Sequence, residues 1–126
     1  MRRLKRLPEA LERSTRAVAV LRKTEADPSY LADALANQGS ILRQLDRTAE
    51  ALPVLEESVK ILEGMGEDVE ESDLATARLQ LALALQKTKG PKQRVTSLAQ
   101  QAKAVFEKAA DARKTELSEL DALLKP

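Results

Sequence analysis

The chain has 126 residues, enough for one domain that buries about two thirds of its unfolded surface. Leu and Ala supply 41 of its 54 apolar residues, Val and Ile together 9, and Phe and Tyr one each, which excludes an all-β fold and points to packed helices. His and Cys are absent, so the usual zinc ligands, disulfides, thiol nucleophile and imidazole base are missing, and most hydrolytic and metal chemistry goes with them.

In chain order, the first predicted helix is Leu4–Lys23. Asp27 followed by Pro28 reads as an N-cap with Pro at the first helical position, opening a second helix over Pro28–Leu45. A third spans Thr48–Glu63, where Pro53 lies beyond the first turn and should remove a bond to the Ala49 carbonyl, so a bend is expected there. Gly64 and Gly66 end it and lead into the acidic linker Glu67 to Asp73, with Ser72 as candidate cap for a fourth helix. That helix, Leu74 to Leu85, is apolar nearly all round and belongs at the centre of the fold. Gly90-Pro91 separates it from a fifth, where Val95, Leu98, Ala99, Ala102, Val105, Phe106 and Ala109 form one continuous stripe. The sixth, Ala112–Lys125, places Leu117, Leu120 and Leu124 on one face and Lys114, Glu116, Ser118, Glu119 and Asp121 outside, as a polar cap.

A net charge of +1 hides a division. Residues 1–23 carry 8 basic and 2 acidic side chains, residues 24–86 carry 4 and 13, and residues 87–126 carry 9 and 5. The pattern fits solvated helix faces with end-to-end attraction in a stack, or steering of a charged partner. No apolar run exceeds five residues and the basic start is not followed by an apolar stretch, so neither a membrane segment nor a signal peptide is expected, and a cytoplasmic setting follows.

Helices one, three and five share a pattern. Ala10 and Ala17, Ala51 and Ser58, Val95 and Ala102 are each seven apart, with Leu21, Leu62 and Phe106 at one offset beyond, and Glu9-Ala10-Leu11 recurs as Glu50-Ala51-Leu52. The copies lie 41 and then 44 residues apart, and small residues at 17, 58 and 102 mark expected close approaches. Helices two and four form the other series, with Leu35, Asn37, Gly39 and Leu42 echoed near Leu79, Gln80, Ala82 and Leu85. The expected fold is all-α, about six helices stacked as antiparallel pairs in a right-handed α-solenoid.

The segment Leu31 to Leu62, LADALANQGSILRQLDRTAEALPVLEESVKIL, resembles a tetratricopeptide repeat, with Gly39 as the small residue of the first helix, Ala51 and Leu55 opening the second and Ser58 as its small contact. The long period is closer to the variety found in kinesin light chain. Gln38 stands where Leu is expected, Asp46 where the inter-helix Gly is expected and Val95 where Ala is usual. The resemblance divides the chain into a half repeat 4–24, repeats 28–63 and 73–109, and a capping helix 112–125. The closing stretch LAQQAKAVFEKAADARKTELSELDALL is similar to the ends of tetratricopeptide tails attached to some bacterial Ser/Thr protein kinases, although no kinase motif is present.

In such stacks the first helix of each pair lines a groove. The matching residues here are Asp33, Ala36, Asn37, Ser40, Arg43 and Gln44, then Thr76, Leu79, Gln80, Leu83, Gln86 and Lys87. Asn37 and Gln80 offer a donor and an acceptor each to the backbone of an extended peptide, while Arg43 and Lys87 suit its carboxylates, with Ser40, Gln44 and Leu83 completing the site. The implied role is a protein-interaction module for a peptide or partner protein, not an enzyme and with no cofactor. Two alternatives stand beside it. One is self-association through an open face of the first helix, at Leu4, Leu7, Leu11 and Val18. The other is weak nucleic-acid binding through Arg2, Arg3, Lys5, Arg6, Lys87, Lys89, Lys92 and Arg94, disfavoured by the acidic middle and by only two aromatics. The Glu67 to Asp73 cluster lacks the ligand order of a calcium loop, and Gly64-Met65-Gly66 lacks the context of a phosphate loop.

Overall fold

A computed structural model describes residues 2–125, with side chains from Arg6 onward; expectations resting on Arg2, Arg3, Leu4 and Lys5 side chains lie outside the described residues. Leu, Ala, Glu and Lys dominate stretches broken at Asp27-Pro28, Asp46, Gly66, Gly90-Pro91 and around Ala109, and the chain folds accordingly into α1 (Arg2–Lys23), α2 (Pro28–Gln44), α3 (Thr48–Gly64), α4 (Glu71–Lys87), α5 (Lys92–Phe106) and α6 (Lys114–Leu124). There is no strand among the described residues. None of the described helices is long and apolar enough to cross a membrane.

Successive helices pack as antiparallel neighbours, and α4 also packs against α2 and α6, while α1, α3 and α5 lie apart. Helices that touch on one side and splay on the other curve the stack, so α2, α4 and α6 are its inner series and α1, α3 and α5 its outer one. This is an all-α helical-repeat solenoid. α4 sits between α3 and α5 and touches α2 and α6, and seven of its side chains, from Ala75 to Leu85, are buried. Its near-uniform apolarity follows from being covered on every side but the groove.

Two small residues set the approach of α2 to α3. A β-carbon on Gly39 would lie 2.4 Å from Cδ2 of Leu55, so only Gly fits. Ser58 is fully buried and donates its hydroxyl to the Ala32 carbonyl at 2.7 Å.

Burial revises the outer-helix alignment. Leu11, Ser14 and Val18 of α1 are followed 44 positions on by Leu55, Ser58 and Leu62 of α3, and 44 further by Ala99, Ala102 and Phe106 of α5, all facing inward. The expected first spacing of 41, taken from the Glu-Ala-Leu match, is therefore corrected. Ala17 is exposed and Ser14 takes the small-residue place, because α1 packs chiefly on α2 and turns the Ser14/Val18 face toward it. Val18 is accordingly buried and Leu7 and Leu11 half-buried, whereas Val20, 59% exposed, is the open large apolar residue among the described side chains of α1.

Three local expectations change. α5 ends at Phe106 and a 3-10 stretch, Glu107–Ala112, follows with Ala109 out of helical geometry (φ −133°, ψ 49°), so Ala109 leaves the stripe and is exposed. α4 starts at Glu71 after Glu70, with no side-chain cap, so Ser72 lies inside the helix and accepts the Thr76 hydroxyl on its carbonyl. Leu79 is 1% exposed and belongs to the core, since it faces the outer helices rather than the groove. α3 continues unbroken through Pro53. Asp27 does cap α2, accepting the Ser29 amide at 2.9 Å, and this bond holds its carboxyl below the usual range.

Candidate functional site

The inner helices α2 and α4 end alike. Amides of Asp46 and Arg47 bond back to the carbonyls of Arg43 and Leu42, and those of Lys89 and Gly90 to Gln86 and Leu85, a Schellman arrangement in both repeats. The left-handed position, where Gly is unstrained, holds Asp46 (φ 63°) in one and Lys89 (φ 59°) in the other. Gly90 fits tightly for a different reason, since a β-carbon there would lie 3.2 Å from the Leu85 carbonyl oxygen.

Between α2 and α4 lie two cavities. One of about 260 Å³ is lined by Asp33, Ala36, Asn37, Ser40, Asp73, Thr76 and Gln80. The other, about 710 Å³, is lined by Arg43, Gln44, Asp46, Thr48, Leu83, Gln86, Lys87 and Lys89. Of the twelve residues expected in the groove, all but Leu79 line one or the other. Arg43 joins the two, donating Nε and Nη2 to Oε1 of Gln80 at 3.3 and 3.2 Å.

Most of these side chains already have partners within the chain. Asn37 Nδ2 donates to Ser14 Oγ of α1 at 3.1 Å, and Gln44 Nε2 donates to Ser40 Oγ at 3.2 Å. The residues assigned to a peptide clamp are thus held in place by bonds between and along helices, and a ligand would use their remaining lone pairs and protons. Lys87 makes no ion pair among the described residues.

The groove is electrically polar. Asp33 faces Asp73 at one end, and partial burial first, then the Asp73 charge, raise the Asp33 carboxyl above its ordinary value. Arg43, Lys87 and Lys89 gather at the other end against the single carboxylate of Asp46. The groove therefore runs from an acidic edge where the inner helices begin to a basic edge where they end, while the basic ends of the sequence meet its acidic middle in the pairs Arg22–Glu57, Arg94–Glu56 and Lys108–Glu71.

Four wall residues were not expected there from sequence: Asp46, Lys89, Thr48 and Asp73. The first two carry a signal legible afterwards, as equivalent positions just past the two inner helices. Thr48 is 6% exposed, and its Oγ1 has no hydrogen-bond partner.

The sequence model of the tetratricopeptide repeat matches residues 1–64, through α1, α2 and α3. No curated protein and no solved structure matched the chain. With that match over half its length and inner and outer helices alternating through the remainder, the chain belongs to the tetratricopeptide repeat family, a fold that mediates contacts between proteins rather than catalysis.

Proposed function

We propose that the chain is a non-catalytic binding module that takes an extended protein segment along the α2/α4 groove. The observation that carries this reading is the pair of adjoining cavities built from the two inner helices, acidic at Asp33 and Asp73 and basic at Arg43, Lys87 and Lys89. Asn37, Ser40, Gln44 and Gln80 supply hydrogen-bonding groups along the path, and Ala36 and Leu83 the apolar contacts. Such a polarity orients a segment with its carboxylates toward Arg43 and Lys87. The similarity of the closing stretch to kinase-attached repeat tails supports a docking or regulatory role within a larger cytoplasmic signalling protein.

The test is selection of peptides from a random display library on the intact chain, repeated with Arg43→Ala combined with Lys87→Ala. The double variant keeps its helical circular dichroism and loses the selected peptides. Peptides held equally well by both proteins would reject the groove.

A second reading, pairing of two copies through α1, is favoured by the exposure of Val20 beside Ala17 and Ala19. Sedimentation equilibrium decides it, since Val20→Glu leaves a strict monomer's mass unchanged and lowers a dimer's.

A further inference from the structure

We propose that a slot beyond the groove, between the α4–α5 turn and the end of α6, takes a large apolar side chain from an acidic protein segment. This rests on the groove reading above and names the chemistry of its ligand. The slot is a cavity of about 530 Å³ that shares Gln86 and Lys89 with the basic end of the groove, so the two mouths adjoin. Val95 and Leu123, each 6% exposed, form its floor and Leu124 a wall.

Charge says what covers it. Lys89, Lys92 and Lys125 stand around the slot and no carboxylate lines it. None of the three makes an ion pair among the described residues, and neither does Lys87 at the adjoining end of the groove. Three uncompensated ammonium groups around an apolar floor fit carboxylates flanking a buried side chain. Lys89 lines both cavities and so ties the slot to the basic end of the groove.

The experiment titrates the 15N-labelled full chain with two acetylated, amidated ten-residue peptides of Glu and Ser, one carrying a central Phe and the other Ala in its place. The Phe peptide moves the amide signals of Thr96, Leu123 and Leu124 and binds roughly tenfold or more tightly than the Ala peptide, the worth of one buried aromatic side chain. Thr96→Trp, at an exposed lining position, plugs the mouth and brings the Phe peptide down to the Ala peptide's affinity. Equal binding of the two peptides, no binding of either at millimolar concentration, or indifference to Thr96→Trp overturns the slot. So do slot signals that move with protein concentration alone, which indicate a second copy, or only with phosphatidylserine vesicles, which indicate a lipid surface. Loss of both peptides in the Arg43→Ala, Lys87→Ala variant with no effect of Thr96→Trp keeps the groove and removes the slot. Slot shifts that survive that double variant keep the slot and remove the groove.

Discussion

Glu57 of α3 accepts both terminal guanidinium nitrogens of Arg22 of α1, each at 2.7 Å, across two outer helices whose backbones scarcely approach. The neighbouring Glu56 does the same for Arg94 of α5. Two adjacent carboxylates on α3 therefore bind the outer helices on either side of it, on the face where the curvature leaves least apolar contact. Inner helices hold the stack by packing, and outer ones are linked by paired forks.

The Arg22–Glu57 pair is half-exposed, with side-chain exposures of 48% and 36%, so solvent discounts its strength. A double-mutant cycle with Arg22→Ala and Glu57→Ala should give a coupling of about 0.5 kcal/mol in urea unfolding. The Arg22 hydrogen bond lowers the Glu57 carboxyl below its usual value, with burial opposing. A carboxyl whose folded pKa is depressed stabilises the fold above its unfolded pKa, near 4.3. The coupling should therefore be full at pH 7 and shrink as pH falls below about 4.3 toward the folded value. A coupling that grows on acidification contradicts the assignment.

Gly39→Ala should destabilise the fold by about 1–3 kcal/mol, because the new methyl collides with Leu55, a side chain with no exposed surface and no room to yield. Leu55→Ala alone should cost about 2–5 kcal/mol through the cavity it leaves. Combined, the two should cost at least about 1 kcal/mol less than their sum, since the methyl enters the vacated space. Strict additivity in denaturant titrations would mean that the two side chains do not meet.

Thr48→Val keeps the shape of the side chain and removes a buried hydroxyl that has no partner. A gain of about 1 kcal/mol is expected, read as a higher unfolding midpoint at unchanged slope. A loss of stability would show that the hydroxyl is bonded in solution.

Lys89→Gly relieves a left-handed backbone position and should stabilise the chain by about 1 kcal/mol while weakening acidic peptides that reach the turn. Stability and affinity moving in opposite directions is the signature. Lys89→Ala, which keeps the strain and removes the charge, should weaken the peptide without the gain.

The helices were legible because their signals are local. The stripe from Val95 to Phe106 and the Asp27-Pro28 start depend on neighbours within a few residues, and the structure keeps both. The groove residues were legible as a set through the likeness of Leu31 to Leu62 to a known repeat. The α1 register was not. An identical tripeptide, Glu9-Ala10-Leu11 and Glu50-Ala51-Leu52, suggested a spacing that burial of Ser14 and Val18 overrules, since Ala51 is buried where Ala10 is only half-buried and identity of letters does not say which face packs. Leu79 failed for the same reason from the other side: on a helix covered nearly all round, periodicity no longer separates the groove face from the core.

Composition and periodicity, acting over one or two turns, determined on their own that the chain is a run of helices with breaks near residues 27, 46, 66 and 90, and that thiol and imidazole chemistry is absent. Tertiary structure alone decided which charges meet. Asp33 and Asp73 are 40 positions apart and Lys89 and Lys125 are 36, yet each pair lines one cavity, because antiparallel hairpins stacked in register bring like ends of successive repeats to one edge. Electrostatic and packing energies depend on distance in space, and distance along the chain carries that information only within a helix.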